Sequence, residues 1–137
     1  MTLLDVNALI ALAWDSHVGH AAMRVWFGEH HGGGWATCPA VESGFVRVSS
    51  NPKVLPHPIG TETARDVLRA LRATAGHRFL ADDVSPCDDD VPPMAGPRQV
   101  TDVQLLVLAR RAGVRLVTFD AALARLGAGD VLLLSAL

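Results

Sequence analysis

The sequence predicts an α/β fold, a short parallel sheet covered on both faces by helices. Three observations predict it. Short apolar runs alternate with longer segments of helical periodicity from one end of the chain to the other. The apolar runs are nearly continuous, as in Leu3-Leu4 and Leu116-Val117, which suits strands covered on both faces. Half of the 137 residues are apolar, enough for one sizeable core.

The elements follow in order. Thr2 to Val6 reads as a strand ending on Asp5. Asn7 can cap a helix over Ala8 to Trp14. Asp15 and Ser16 offer a cap for a second helix with Ala21, Val25 and Trp26 on its apolar face. Gly32-Gly33-Gly34 breaks it, and Trp35 to Cys38 is the next strand. Pro39 fits the first position of a helix running to about Ser49. Thr61 to Thr74 reads as a helix with apolar Ala64, Val67, Leu68 and Leu71, and Arg78 to Ala81 as a strand. A loop rich in Asp, Pro and Gly runs from Asp82 to Pro97. Thr101 opens the clearest helix, which Gly113 ends. A strand over Arg115 to Phe119, a short helix over Ala121 to Leu126 and a strand over Val131 to Leu134 complete the chain.

Charge and cysteine usage narrow the classes. The net charge of -2 excludes a globally basic nucleic-acid binder, so such a role needs a local basic face. Lys53 is the only lysine; the other cations are arginines, which suit bidentate phosphate contacts. Cys38 and Cys87 form neither a metal spacing nor a disulfide framework. There is no signal-peptide pattern and no apolar run of membrane-spanning length, so a soluble, cytoplasmic protein is expected.

Four carboxylates stand out. Asp5 and Asp120 end predicted strands. Glu42 and Asp102 lie in the first turns of predicted helices. Each has a bland explanation: Asp5 and Asp120 as caps, Glu42 and Asp102 as acids favoured by the helix dipole by about 0.3–1 kcal/mol. Thr101-Asp102-Val103-Gln104 also fits a capping box. Jointly they say more, because strand ends and following helix starts share one edge of a parallel sheet, where such folds place their sites. Two like charges about 4 Å apart repel by roughly 4 kcal/mol at an effective dielectric near 20. A divalent cation offsets that, and hard oxygen ligands suit Mg²⁺ or Mn²⁺. Such a site can activate water and clamp a phosphodiester.

The segments around these acids resemble the PIN domains. Leu3-Leu4-Asp5-Val6-Asn7-Ala8-Leu9-Ile10 is similar to their opening motif, and Ala40-Val41-Glu42-Ser43-Gly44-Phe45-Val46-Arg47-Val48 to their second acidic segment. Val100-Thr101-Asp102-Val103-Gln104-Leu105-Leu106 and Leu116-Val117-Thr118-Phe119-Asp120 resemble the third and fourth. The short length, His17 and His20 before Trp26, and Arg47-Val48-Ser49-Ser50-Asn51-Pro52 resemble the VapC toxins in particular. The resemblance implies a three-layer α/β/α sandwich with a short, mostly parallel central sheet, residues 1–137 forming one PIN-like nuclease domain. It implies a Mg²⁺-dependent endoribonuclease using metal-activated water, a homodimer, and a VapB-type antitoxin as partner. Asp5 and Asp102 would be the main metal ligands and Asp120 would complete the site. Glu42 would hold a water or help a second ion, and Asn7 and Thr118 would orient the carboxylates.

Other features read as structural or secondary. Arg65, Arg69 and Arg72 read as a solvated helix face. Arg98, just before Asp102, is the better candidate for an RNA phosphate contact. The acidic loop reads as a solvated connection, and His17 and His20 as packing or surface groups. A receiver-type phosphoacceptor is the rival from another class, but it needs paired acids after the first strand and a lysine near the last. An RNA-processing nuclease outside a toxin pair, or an inactive RNA- or partner-binding relative, shares the same acids.

Overall fold

The computed structural model describes residues 1–57 and 59–136. Five strands form one all-parallel sheet: β1 (Thr2–Leu4), β2 (Trp35–Thr37), β3 (His77–Phe79), β4 (Arg115–Thr118) and β5 (Val131–Leu133), in the order β3-β2-β1-β4-β5. Six α-helices join them: α1 (Val6–Ala13), α2 (His20–His30), α3 (Pro39–Ser49), α4 (Thr61–Arg72), α5 (Val100–Ala112) and α6 (Ala121–Gly127).

The strand order fixes where a site can form. From β1 the chain steps to β2 and then β3 on one side, and afterwards returns to β4 and β5 on the other. Right-handed crossovers then put α1 to α4 on one face and α5 and α6 on the opposite face. Accordingly α1 packs on α2 and α3, and α3 on α4, while α5 and α6 pack on β4 and β5. The switch in direction falls between β1 and β4, where a crevice opens beyond the carboxyl ends of the strands. In register, Leu4 lies opposite Val117, so Asp5 emerges beside Thr118.

Apolar pattern builds the core. Leu3, Leu4, Leu9, Trp35, Phe45 and Leu116 are fully buried. In α5, Val103, Leu106 and Val107 are buried as their spacing predicts, and Leu105 and Leu108 join them. Gly113 ends α5 at φ 70, a left-handed position favouring glycine.

Several local expectations are corrected. Asp5, not Asn7, caps α1, because β1 stops at Leu4 and leaves Asp5 extended. α2 begins at His20 behind Gly19, not at Asp15 or Ser16, and buries Met23 and Phe27. Val25 is 63% exposed and Ala21 is exposed, because the helix is rotated from the expected face. No capping box forms at Thr101. A 3₁₀ turn (Pro97–Gln99) runs into α5, drawing Thr101 inside the helix, and Gln104 bonds Asp82 instead at 2.8 Å. The acidic loop is pinned, with Asp88 and Asp90 binding Arg111 of α5 at 2.8 and 2.6 Å. Among the described residues no helix is long and apolar enough to cross a membrane.

Candidate active site

The crevice at the β1/β4 switch is a cavity of about 350 Å³ whose lining includes Asp5, Asn7, His17, Asp102 and Asp120. Each acid arrives by a different local cause. Asp5 is delivered by the end of β1 and caps α1, its Oδ1 accepting from the Val6 N–H at 2.7 Å. Asp120 follows β4 and caps α6, its Oδ1 accepting from the N–H of Ala122 at 2.8 Å and of Leu123 at 3.4 Å. Asp102 sits in the first turn of α5, and its side chain makes no hydrogen bond to any described residue. The capping roles expected of Asp5 and Asp120 are therefore real, and they aim both acids at the cavity.

Thr118 ties the cluster together. Its fully buried hydroxyl donates to Asp5 Oδ2 at 2.8 Å. The same oxygen accepts from Asn7 Nδ2 at 3.1 Å and from the Asp120 N–H at 3.0 Å. Asn7 Oδ1 accepts from the Phe119 N–H at 3.0 Å, binding the start of α1 to the end of β4. Both residues thus hold the two strand ends in register.

Charge in the cavity is unbalanced. Burial raises the Asp5 carboxyl above its ordinary value, and nearby Asp120 adds to the rise. The hydrogen bonds from Thr118 and Val6 oppose it. Asp102 is pushed up to about 6, first by burial and then by the charges of Asp5 and Asp120. Among the described residues none of the three has a cationic partner. An uncompensated set of hard oxygen donors fits a divalent cation. Among the described residues no three acidic, histidine or cysteine groups already close into a cage.

Glu42 is not among the residues that line this cavity. Its Oε2 accepts from the Thr37 hydroxyl at 2.6 Å, and Arg72 reaches Oε1 at 3.2 Å. The Thr37 hydroxyl lies 2.8 Å from His77 Nε2, and Arg72 covers the Phe79 ring at 5.0 Å. Glu42 instead lines clefts between α3 and α4 that Arg47 and Arg65 also border. Arg65 and Arg69 pair with Glu62 and Asp66 on their own helix, as a solvated face would. Arg98 is exposed on the turn entering α5 and does not line the cavity. Sequence reasoning read His17 as a packing or surface group, whereas it forms part of the cavity wall, and it missed the Thr37–His77–Arg72 surroundings of Glu42. Only contacts across strands reveal these, and nothing in local spacing signals them.

An acid cluster at the switch point of a five-stranded parallel sheet defines the class. The chain belongs to the PIN domain family, whose pattern matches residues 2–129. It is 70% identical over 121 residues to Ribonuclease VapC38 of Mycobacterium tuberculosis, covering 88% of this chain and 86% of that protein. Ribonuclease VapC39 of the same organism is 49% identical over 127 residues, covering 89% and 90%. Ribonuclease VapC29, also of that organism, is 39% identical over 132 residues, covering 96% and 94%.

Proposed function

We propose that this chain is a metal-dependent endoribonuclease of the VapC type, the toxin half of a toxin–antitoxin pair, with residues 1–137 acting as one nuclease domain. The observation that carries the reading is the unpaired acid cluster of Asp5, Asp102 and Asp120 in one cavity, with Asp102 pushed up to about 6. Likeness to proteins named as VapC ribonucleases supports RNA as the substrate. A divalent cation held there, Mg²⁺ or Mn²⁺ in our reading, supplies charge compensation on the phosphate and activation of water.

The chain's own residues divide the remaining work. Asp5 and Asp102 are the main ligands and Asp120 completes the set. Thr118 favours the ionised form of Asp5 by donating to it, against the effect of burial, and Asn7 fixes the β4 end that carries Asp120. Glu42 is a positioning group at the neighbouring strand edge, where it holds Arg72 over Phe79. Arg98, exposed on the turn that enters α5, is the candidate for an RNA phosphate contact. A homodimer, a VapB-type antitoxin and action in the cytoplasm complete the proposal.

The test is sequencing of RNA ends after expression in cells, beside Asp5→Ala. New ends at defined positions with the unaltered chain, absent with the variant, are expected. The same ends from both would overturn the reading.

A further inference from the structure

The acid cavity needs something its carboxylates cannot supply. RNA brings phosphate oxygens, which carboxylates repel and to which they cannot donate. The rest of the lining is mostly apolar, from Val6, Ile10, Val48 and Val54. Asn7 also lines it, but its amide is engaged by Thr118 and Phe119. His17 is the remaining polar side chain of that wall.

His17 is held in one state by its neighbours. The Gly19 N–H donates to His17 Nδ1 at 2.8 Å. A backbone N–H can only donate, so Nδ1 carries its lone pair and the neutral ring carries its proton on Nε2. The ring rests against Phe119, with centroids 5.7 Å apart and planes tilted by 51°. Phe119 is fixed in turn by Asn7. A Cβ on Gly19 would come within 2.7 Å of the Phe119 ring, so this close approach requires glycine. The backbone turn is closed by the His17 N–H to the Trp14 carbonyl at 3.2 Å and the His20 N–H to the His17 carbonyl at 3.0 Å. Nε2 makes no hydrogen bond to any described residue. His17 also borders a second cleft of about 380 Å³, with Val18, Phe119, Leu133 and Leu134, so it forms the wall between that cleft and the acids.

We propose that His17 is a substrate-binding residue that donates from Nε2–H to a phosphate oxygen of RNA crossing from the neighbouring cleft into the acid cavity. The inference rests on the nuclease reading. It assigns His17 a neutral donor role and no proton transfer.

Two variants separate this role from a structural one. His17→Asn keeps an acceptor where Nδ1 meets the Gly19 N–H but has no donor at the Nε2 position. His17→Gln carries an amide donor near the Nε2 position and leaves the Gly19 N–H without its acceptor. The probe is a fluorescein-labelled single-stranded oligoribonucleotide of random sequence. Binding is read by anisotropy with Ca²⁺, cleavage with Mg²⁺, and folding by thermal midpoint. A hydrogen bond to a charged group is worth about ten- to hundredfold in affinity. His17→Asn is expected to keep the midpoint, weaken RNA binding by about tenfold or more, and raise KM more than it lowers kcat. His17→Gln is expected to lose midpoint yet bind RNA within about threefold of the unaltered chain. Unchanged binding by His17→Asn, or equal losses in the two variants, would overturn the assignment. Absence of cleavage by the unaltered chain would count against the nuclease reading, while the binding comparison still decides the role of His17.

Discussion

Replacing Asp102 by asparagine should stabilise the metal-free protein while removing its activity. The carboxyl is raised from 3.8 to about 6 in the fold, by burial and by Asp5 and Asp120. A raised pKa means that folding favours the protonated form. The associated stability is fully present below 3.8 and is lost as pH rises through about 6. That gap corresponds to at most about 3 kcal/mol at neutral pH. Asp102 is partly exposed, so solvent screening brings this to about 1–2 kcal/mol. The amide keeps the shape and removes the charge. Asp102→Asn should therefore unfold a few degrees higher than the unaltered chain in EDTA at pH 7.5. The advantage should shrink as pH falls through about 6 and vanish near 3.8. Mg²⁺ should raise the midpoint of the unaltered chain and do little for the variant. Thermal unfolding across pH, with and without metal, reads all of this. A variant less stable than the parent in EDTA at pH 7.5, or a difference that does not change with pH, would refute the electrostatic argument.

Further outcomes follow from the same structure. Thr118→Val removes the donor to Asp5 and strands Asn7 Nδ2 and the Asp120 N–H. Urea unfolding should show a loss of about 2–4 kcal/mol, RNA cleavage should fall, and Thr118→Ser should restore most of both. Arg111→Ala frees Asp88 and Asp90 on the surface. The global unfolding midpoint should barely move, while limited proteolysis between residues 83 and 96 should speed up. Gly113→Ala forces a side chain into the left-handed conformation at φ 70 and should cost about 1–2 kcal/mol, again read in urea.

The order of elements was legible because it rests on local pattern. The apolar runs at Leu3-Leu4 and Leu116-Val117 became β1 and β4, and Pro39 opened α3 where a proline belongs at a helix start. Asp5, Asp102 and Asp120 were legible as neighbours because strand ends and helix starts share an edge in a parallel sheet. The edge argument placed Glu42 there too, but the direction of its side chain is decided by Thr37 and Arg72, which lie elsewhere in the chain. Caps were the weakest readings. Asn7 is a good cap by type, yet its amide is drawn to Thr118 and Phe119, 111 and 112 residues away. Gln104 was matched to Thr101 by spacing and is taken by Asp82 across the loop. The face of α2 was misjudged because its burial depends on how α2 meets α1, and α2's own pattern is weakly amphipathic. His17 was legible only as a packing or surface group, since its place in the cavity wall comes from Gly19 and Phe119 meeting it in space.

In the proposed function the cluster of Asp5, Asp102 and Asp120 holds a divalent cation for RNA cleavage. The most direct test of that role is cleavage of RNA by the purified chain during a Mg²⁺ titration, with Asp5→Ala in parallel. No cleavage is expected in EDTA, with a saturable rise with Mg²⁺ for the unaltered chain and none for the variant. Equal cleavage by the two proteins, or cleavage indifferent to EDTA, would contradict it.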